Sequence, residues 1–221
     1  MNVAVPPCGL YAITDSHLLK RGTLTEQVSL AIDGGAVLIQ YRDKHLPREI
    51  RGHQAQTLAT LCRERDIPLI INDDIELAAA CGAAGVHLGR DDVPVSLARR
   101  RLGRRAIIGV SCYNQLERAQ AAAGTGANYV AFGRFFPSNT KPGAVQAQPA
   151  LLAQARREIS LPIVAIGGIT PENGAELIHA GADLLAVIQG VFGQPDISVA
   201  ARAYAALFGA SREADPLTSH L

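Results

Sequence analysis

The chain has 221 residues, 48% of them apolar, and a formal net charge of +1. That is enough apolar material for one sizeable core and too short for two full domains. The near-neutral balance offers no bulk attraction to nucleic acid, and no apolar run is long enough to span a membrane. Residues 1–8 lack the basic-then-apolar pattern of a secretory signal. Cys8, Cys62, Cys81 and Cys112 form no CxxC pair, which points to free thiols in a cytoplasmic setting. With no Trp and a single Met at position 1, the core has to be built from Ala, Leu, Ile and Val.

Eight short β-branched runs follow one another, at residues 10–14, 37–41, 68–71, 85–88, 106–110, 129–132, 162–166 and 184–188. Amphipathic Ala/Leu-rich segments carrying Glu, Gln and Arg separate them and follow the last. Gly35-Ala36, Gly126-Ala127 and Gly181-Ala182 precede strands, where glycine ends a helix by taking the left-handed backbone. Strict alternation of strand and helix predicts a parallel sheet, and eight units predict a single (β/α)8 TIM barrel over residues 1–208. Periodicity leaves an open doubly wound sheet as the alternative. Residues 209–221 lack apolar periodicity and are expected to fray as a disordered tail.

In a barrel the chemistry sits at the carboxyl ends of the strands, and there the polar residues cluster. Gln40, Arg42 and Lys44 are spaced by two, so an extended chain points them one way. Two cations on one face suit phosphate oxygens; a solvated loop with a chance charge pair is the plainer reading. Asn72 and Asp73 follow Pro-Leu-Ile-Ile, where a carboxylate can ligate a metal, or Asp73 or Asp74 can cap a helix over Ile75–Cys81. Asp92 can supply a second carboxylate from the neighbouring loop, and magnesium commonly takes one or two. His87 lies in an apolar run and reads as a packed, hydrogen-bonded barrel residue.

Ser138, Thr140 and Lys141 share a Pro- and Gly-containing loop that could cradle phosphate or be an ordinary surface turn. Gly167-Gly168 and Ile188-Gln189-Gly190 end the seventh and eighth strands, where close backbone approach and free N–H groups suit a phosphomonoester. The run from Arg99 to Arg105 sits at a helix C-terminus and reads as a solvated face.

Taken together these motifs resemble the thiamine-phosphate synthase family, within the superfamily that also holds the thiazole tautomerases. The elements that carry the resemblance are Leu10-Tyr-Ala-Ile-Thr-Asp15, Gln40-Tyr-Arg-Asp-Lys44, Ile71-Asn-Asp-Asp74, Gly85-Val-His-Leu-Gly89, Ile108-Gly-Val-Ser111, Phe132-Gly-Arg-Phe-Phe-Pro-Ser-Asn-Thr-Lys141 and Ala165-Ile-Gly-Gly-Ile169. They run in family order across residues 9–208.

The resemblance implies a magnesium-dependent barrel enzyme that joins hydroxymethylpyrimidine diphosphate to thiazole phosphate, giving thiamine phosphate and pyrophosphate by a dissociative route. It implies that Arg42, Lys44, Asn72 and Lys141 hold the diphosphate, that Gln40 faces the pyrimidine, and that Asp73 and Asp92 bind Mg2+. It sets Ser111 against the reacting groups and, with Arg42, Lys44 and Lys141, among the catalytic residues. Ser138, Thr140, Gly168, Ile188 and Gln189 are implied for the thiazole phosphate. Small-molecule substrates are the partners expected; neither nucleic acid nor a membrane is, and a homo-oligomer is compatible.

Four positions depart from the family pattern: Arg90 for Gln, Ser138 for Thr, Gln189 for Ser, and Tyr113 for His after Ser111. The last removes an imidazole. A tautomerase moves protons and needs acid–base groups, so this loss, with the diphosphate and metal residues kept, favours the synthase branch. A non-catalytic phospho-ligand sensor is the remaining alternative, and the metal carboxylates argue against it.

Overall fold

The structure, a computed structural model, describes residues 4–18, 22–137 and 145–213. Eight parallel strands, β1 (Gly9–Ile13), β2 (Ala36–Tyr41), β3 (Leu69–Asn72), β4 (Gly85–Leu88), β5 (Ile107–Tyr113), β6 (Tyr129–Gly133), β7 (Ile163–Ile166) and β8 (Leu184–Val187), pair in sequence order. β1 also pairs with β8, Gly9 against Leu184 through Ala12 against Val187, which closes the barrel and rules out the open sheet.

Period-two alternation sorts each strand into two cores. On β1, Tyr11 and Ile13 join Leu38, Ile70, Ile107, Tyr129 and Val164 inside the barrel. Leu10 and Ala12 point outward into the layer beneath the helices. Gly109 on β5 leaves room for this filling, since a Cβ there would overlap the Tyr129 ring. Burying each large apolar side chain of this kind contributes about 1.5–3 kcal/mol.

The outer ring is α1 (Leu24–Asp33), α2 (Arg48–Glu64), α3 (Ile75–Cys81), α4 (Val95–Leu102), α5 (Leu116–Gly124), α6 (Ala150–Glu158), α7 (Pro171–His179), the short α8 (Gln189–Phe192) and α9 (Ile197–Glu213). Local chemistry sets their ends. Thr23 and Glu26 form a reciprocal capping box at α1. Gly35, Gly126 and Gly181, at the expected helix exits, have φ of 100°, 92° and 115°.

α9 runs to Glu213, into the segment that begins at Gly209, and residues 214–221 lie outside the described residues. One expectation changes. The basic run is not simply a solvated face. Arg99 reaches back under its helix end, donating to the carbonyls of Gly103, Arg104, Ala106 and Gly126 and to Asn128 Oδ1. It staples the α4 exit to the amino ends of β5 and β6, far from the site face.

Candidate active site

The carboxyl ends of the strands open into a cavity of about 620 Å3. It receives Gln40, Arg42, Lys44, Asn72, Asp73, Asp92, Ser111, Gly168, Ile188 and Gln189, so ten of the residues singled out from the sequence converge on one site. Ser138, Thr140 and Lys141 lie outside the described residues.

The charged wall is built from β2, β3 and β4. Thr14, buried at the end of β1, accepts from the Arg42 N–H at 2.9 Å and fixes where β2 releases its cations. Arg42 lies 3.6 Å from Asp15, and Lys44 Nζ lies 3.2 Å from Asp73 Oδ2. Lys44 is 48% exposed and Asp73 32%, so this pair holds by about 0–1 kcal/mol and yields readily to a ligand.

The capping ambiguity resolves residue by residue. Asp74 caps α3, accepting from the Leu77 N–H at 2.9 Å. Asp73, at φ 62°, is turned away from that task and lines the cavity. Across from it, Asp92 accepts from the Gly89 N–H at 2.6 Å. Burial lifts the Asp92 carboxyl above its ordinary range and the neighbouring Asp73 carboxylate lifts it further, while the Gly89 N–H and Lys44 pull the other way. Two hard oxygen donors that disfavour each other's charge could hold a divalent cation such as magnesium, whose charge would relieve the repulsion. Among the described residues no group of three His, Cys, Asp or Glu side chains could hold a metal, so a zinc-type cage is not what these residues form.

Opposite this wall, Ile188, Gln189 and Gly190 open α8, the turn whose N–H groups have no acceptor within a helix. Gly168, at φ 64°, lies so close to the Pro137 carbonyl that a side chain would collide with it. Its loop is held from behind by Asn173 Nδ2, which donates to Gly168 O at 3.1 Å, and by the Tyr204 hydroxyl, which donates to Ile169 O at 2.9 Å.

The cavity floor is built from two phenols, an amide, an imidazole and a hydroxyl. His87 is hydrogen-bonded, as expected: its Nδ1 lies 2.9 Å from Tyr129 Oη and its Nε2 2.8 Å from Ser111 Oγ. Tyr129 Oη is 2.8 Å from Tyr11 Oη, to which Gln40 Nε2 donates at 2.6 Å.

Three contributors escaped the sequence analysis. Tyr11 and Tyr129 read from the sequence as strand residues alone; the phenol within each strand is the available signal. Arg118 donates from Nε to Ser111 O at 2.8 Å and from its guanidinium to Gly89 O at 3.1 Å, tying the end of β5, which carries Ser111, to the loop that carries Asp92. A cation in the first turn of α5, where the helix dipole disfavours it, was its signal. Arg118 also flanks the Tyr113 ring at 5.9 Å, and Arg90 lies over that ring at 4.7 Å. Two of the departures from the family pattern therefore touch each other. Tyr113 follows a register shift in β5 at φ 57°, a backbone state uncommon for an aromatic residue.

The family model described as thiamine monophosphate synthase matches residues 10–191. The chain belongs to the thiamine monophosphate synthase family. It is accordingly an enzyme, a transferase. It is 57% identical over 196 residues to a thiamine-phosphate synthase from Nitrosococcus oceani, covering 89% of this chain and 90% of that one. A thiamine-phosphate synthase from Thiobacillus denitrificans is 51% identical over 207 residues, covering 94% and 98%. Among solved structures, a thiamine phosphate pyrophosphorylase from Pyrococcus furiosus superposes with a TM-score of 0.84 at 34% identity, covering 92% of this chain and 96% of that one. A 3-hexulose-6-phosphate synthase at 17% identity and TM-score 0.63 shares the barrel alone. Among the described residues of this family member, no helix is long and apolar enough to cross a membrane, and Cys62, Cys81 and Cys112 are buried free thiols.

Proposed function

We propose that the protein condenses hydroxymethylpyrimidine diphosphate with thiazole phosphate, or its carboxylated form, to give thiamine phosphate and pyrophosphate, in the cytoplasm. The observation that carries this reading is the convergence of Arg42, Lys44, Asn72, Asp73 and Asp92 on one wall of a single cavity. That set of cations and acidic oxygens suits a diphosphate with its metal and exceeds what a phosphomonoester needs.

Arg42, Lys44 and Asn72 bind and orient the diphosphate, with Lys141 completing the set. Gln40 faces the pyrimidine from the floor. Asp73 and Asp92 would hold magnesium, which would supply neutralisation of the diphosphate charge. Gly168, Ile188 and Gln189 hold the thiazole phosphate with backbone N–H groups, joined by Ser138 and Thr140. In this scheme the thiazole nitrogen attacks a pyrimidine cation left by the departing diphosphate. Such a route calls for little proton transfer, in keeping with Tyr113 standing where the family often has histidine.

The test is to mix the purified protein with both substrates, with and without magnesium, and assay thiamine phosphate and pyrophosphate together. Equal, magnesium-dependent release of both is the expected result. Tight binding of thiazole phosphate with no product would move the assignment to a tautomerase or a sensor.

A further inference from the structure

The Ser111–His87 pair looks at first like a nucleophile with its base, the imidazole Nε2 standing 2.8 Å from the hydroxyl oxygen. Its polarity follows from the rest of the floor. An amide nitrogen can only donate, so the Gln40 bond makes Tyr11 Oη an acceptor. Either phenol could donate across the Tyr11–Tyr129 contact, but only Tyr11 as donor gives its buried proton an acceptor among the described residues, and the Tyr129 proton is then directed to His87 Nδ1. With Nδ1 accepting, the neutral ring carries its proton on Nε2 and donates it to Ser111 Oγ. The Ser111 proton is left pointing away from His87, on a residue that lines the cavity. Burial holds both phenols well above their ordinary pKa, so they stay protonated and able to donate. Gly109 leaves room for the central phenol, since any side chain there would displace Tyr129.

We infer that Tyr11, Tyr129 and His87 are positioning residues forming a one-way hydrogen-bond chain from Gln40 to Ser111, which makes Ser111 a hydrogen-bond donor to the anionic ligand and bars it from acting as a nucleophile. Resting on the function proposed above, the acceptor is an oxygen of the departing diphosphate. The same chain couples the two ends of that substrate, because the amide that faces the pyrimidine sets the direction of the hydroxyl that faces the phosphates. No bond is made or broken along it, and no proton need be transferred.

The experiment is a long-range 1H–15N spectrum of the intact, substrate-free protein at neutral pH, with the His87 signals assigned by their loss in His87→Gln. Protonated Nε2 and bare Nδ1 are expected; protonated Nδ1 would reverse the chain and overturn the inference. Because this reading needs no turnover, it stands or falls apart from the synthase assay. In that assay Tyr129→Phe, which keeps the ring and removes the link, should lower kcat about tenfold to a hundredfold, with little change in KM for thiazole phosphate. His87→Gln, which offers an acceptor and a donor on one side chain, should recover most of the turnover lost in His87→Leu. A kcat within twofold of wild type for Tyr129→Phe, or equal loss in both His87 variants, would also overturn it.

Discussion

The two halves of the cavity solve opposite problems. The wall formed by β2, β3 and β4 is charged, partly open to solvent and weakly self-paired, as Lys44 with Asp73 shows. The floor carries no carboxylate, lysine or arginine in its chain from Gln40 to Ser111, and both of its tyrosines are fully enclosed. A wall of loosely held charges can give up its internal pairs when a diphosphate and a cation arrive, while a floor of mutually hydrogen-bonded groups keeps its geometry throughout. Recognition by exchange and recognition by rigidity thus occupy adjacent surfaces of one site.

That contrast can be broken from the charged side first. Asp92→Ala should lower turnover about a hundredfold or more and raise the magnesium concentration needed, with excess metal restoring part of the rate. An unchanged magnesium dependence in steady-state kinetics would remove Asp92 from the metal site. Arg42→Lys keeps the charge and loses the planar fork, so a drop of about tenfold in kcat/KM for the pyrimidine diphosphate is expected; near-normal kinetics would contradict a two-pronged contact.

Outside the site the expected effects act on stability alone. Arg99→Met removes the guanidinium that bridges four carbonyls and Asn128 Oδ1 and should cost about 1–3 kcal/mol in urea unfolding with kcat unaltered. Burial raises the Cys62 and Cys112 thiols to about 12 from a reference of 9.0. The folded chain therefore keeps protons that the unfolded chain releases, and stability should fall as pH rises from about 9 toward 12. Thermal melts across that range would show it, and thiol labelling at neutral pH should spare both residues until the protein unfolds. The smallest effect is expected for Arg101→Ala: its pairing with Glu76 is fully on the surface, and the melting temperature should not move resolvably.

The barrel was legible because its signals are local. A β-branched run, a glycine stop and an amphipathic helix each fit within a few neighbouring residues, and α3 falls on Ile75–Cys81 as the capping pattern predicts. The charged wall was legible for the same reason, since Arg42 and Asp73 follow strands directly and Asp92 lies on the loop after β4. The floor was not. Tyr11 meets Tyr129 across 118 positions of sequence, and nothing near either residue announces the contact. Arg99 shows the converse failure: its neighbours are arginines, so the run read as surface, whereas its contacts with Gly126 and Asn128 lie well downstream on the chain.

The pairing of β1 with β8 carries a consequence for synthesis. Gly9 emerges from the ribosome early and its partner Leu184 very late, so the first strand waits with one edge open through most of translation. Tyr11 and Ile13, destined for the interior, are surrounded only when that seam shuts. A nascent chain halted before residue 184 would present an unfilled trough with adhesive rims, a species for chaperones to guard and proteases to find. Closure of the seam then completes the hydrophobic core and the mouth of the catalytic cavity in a single event.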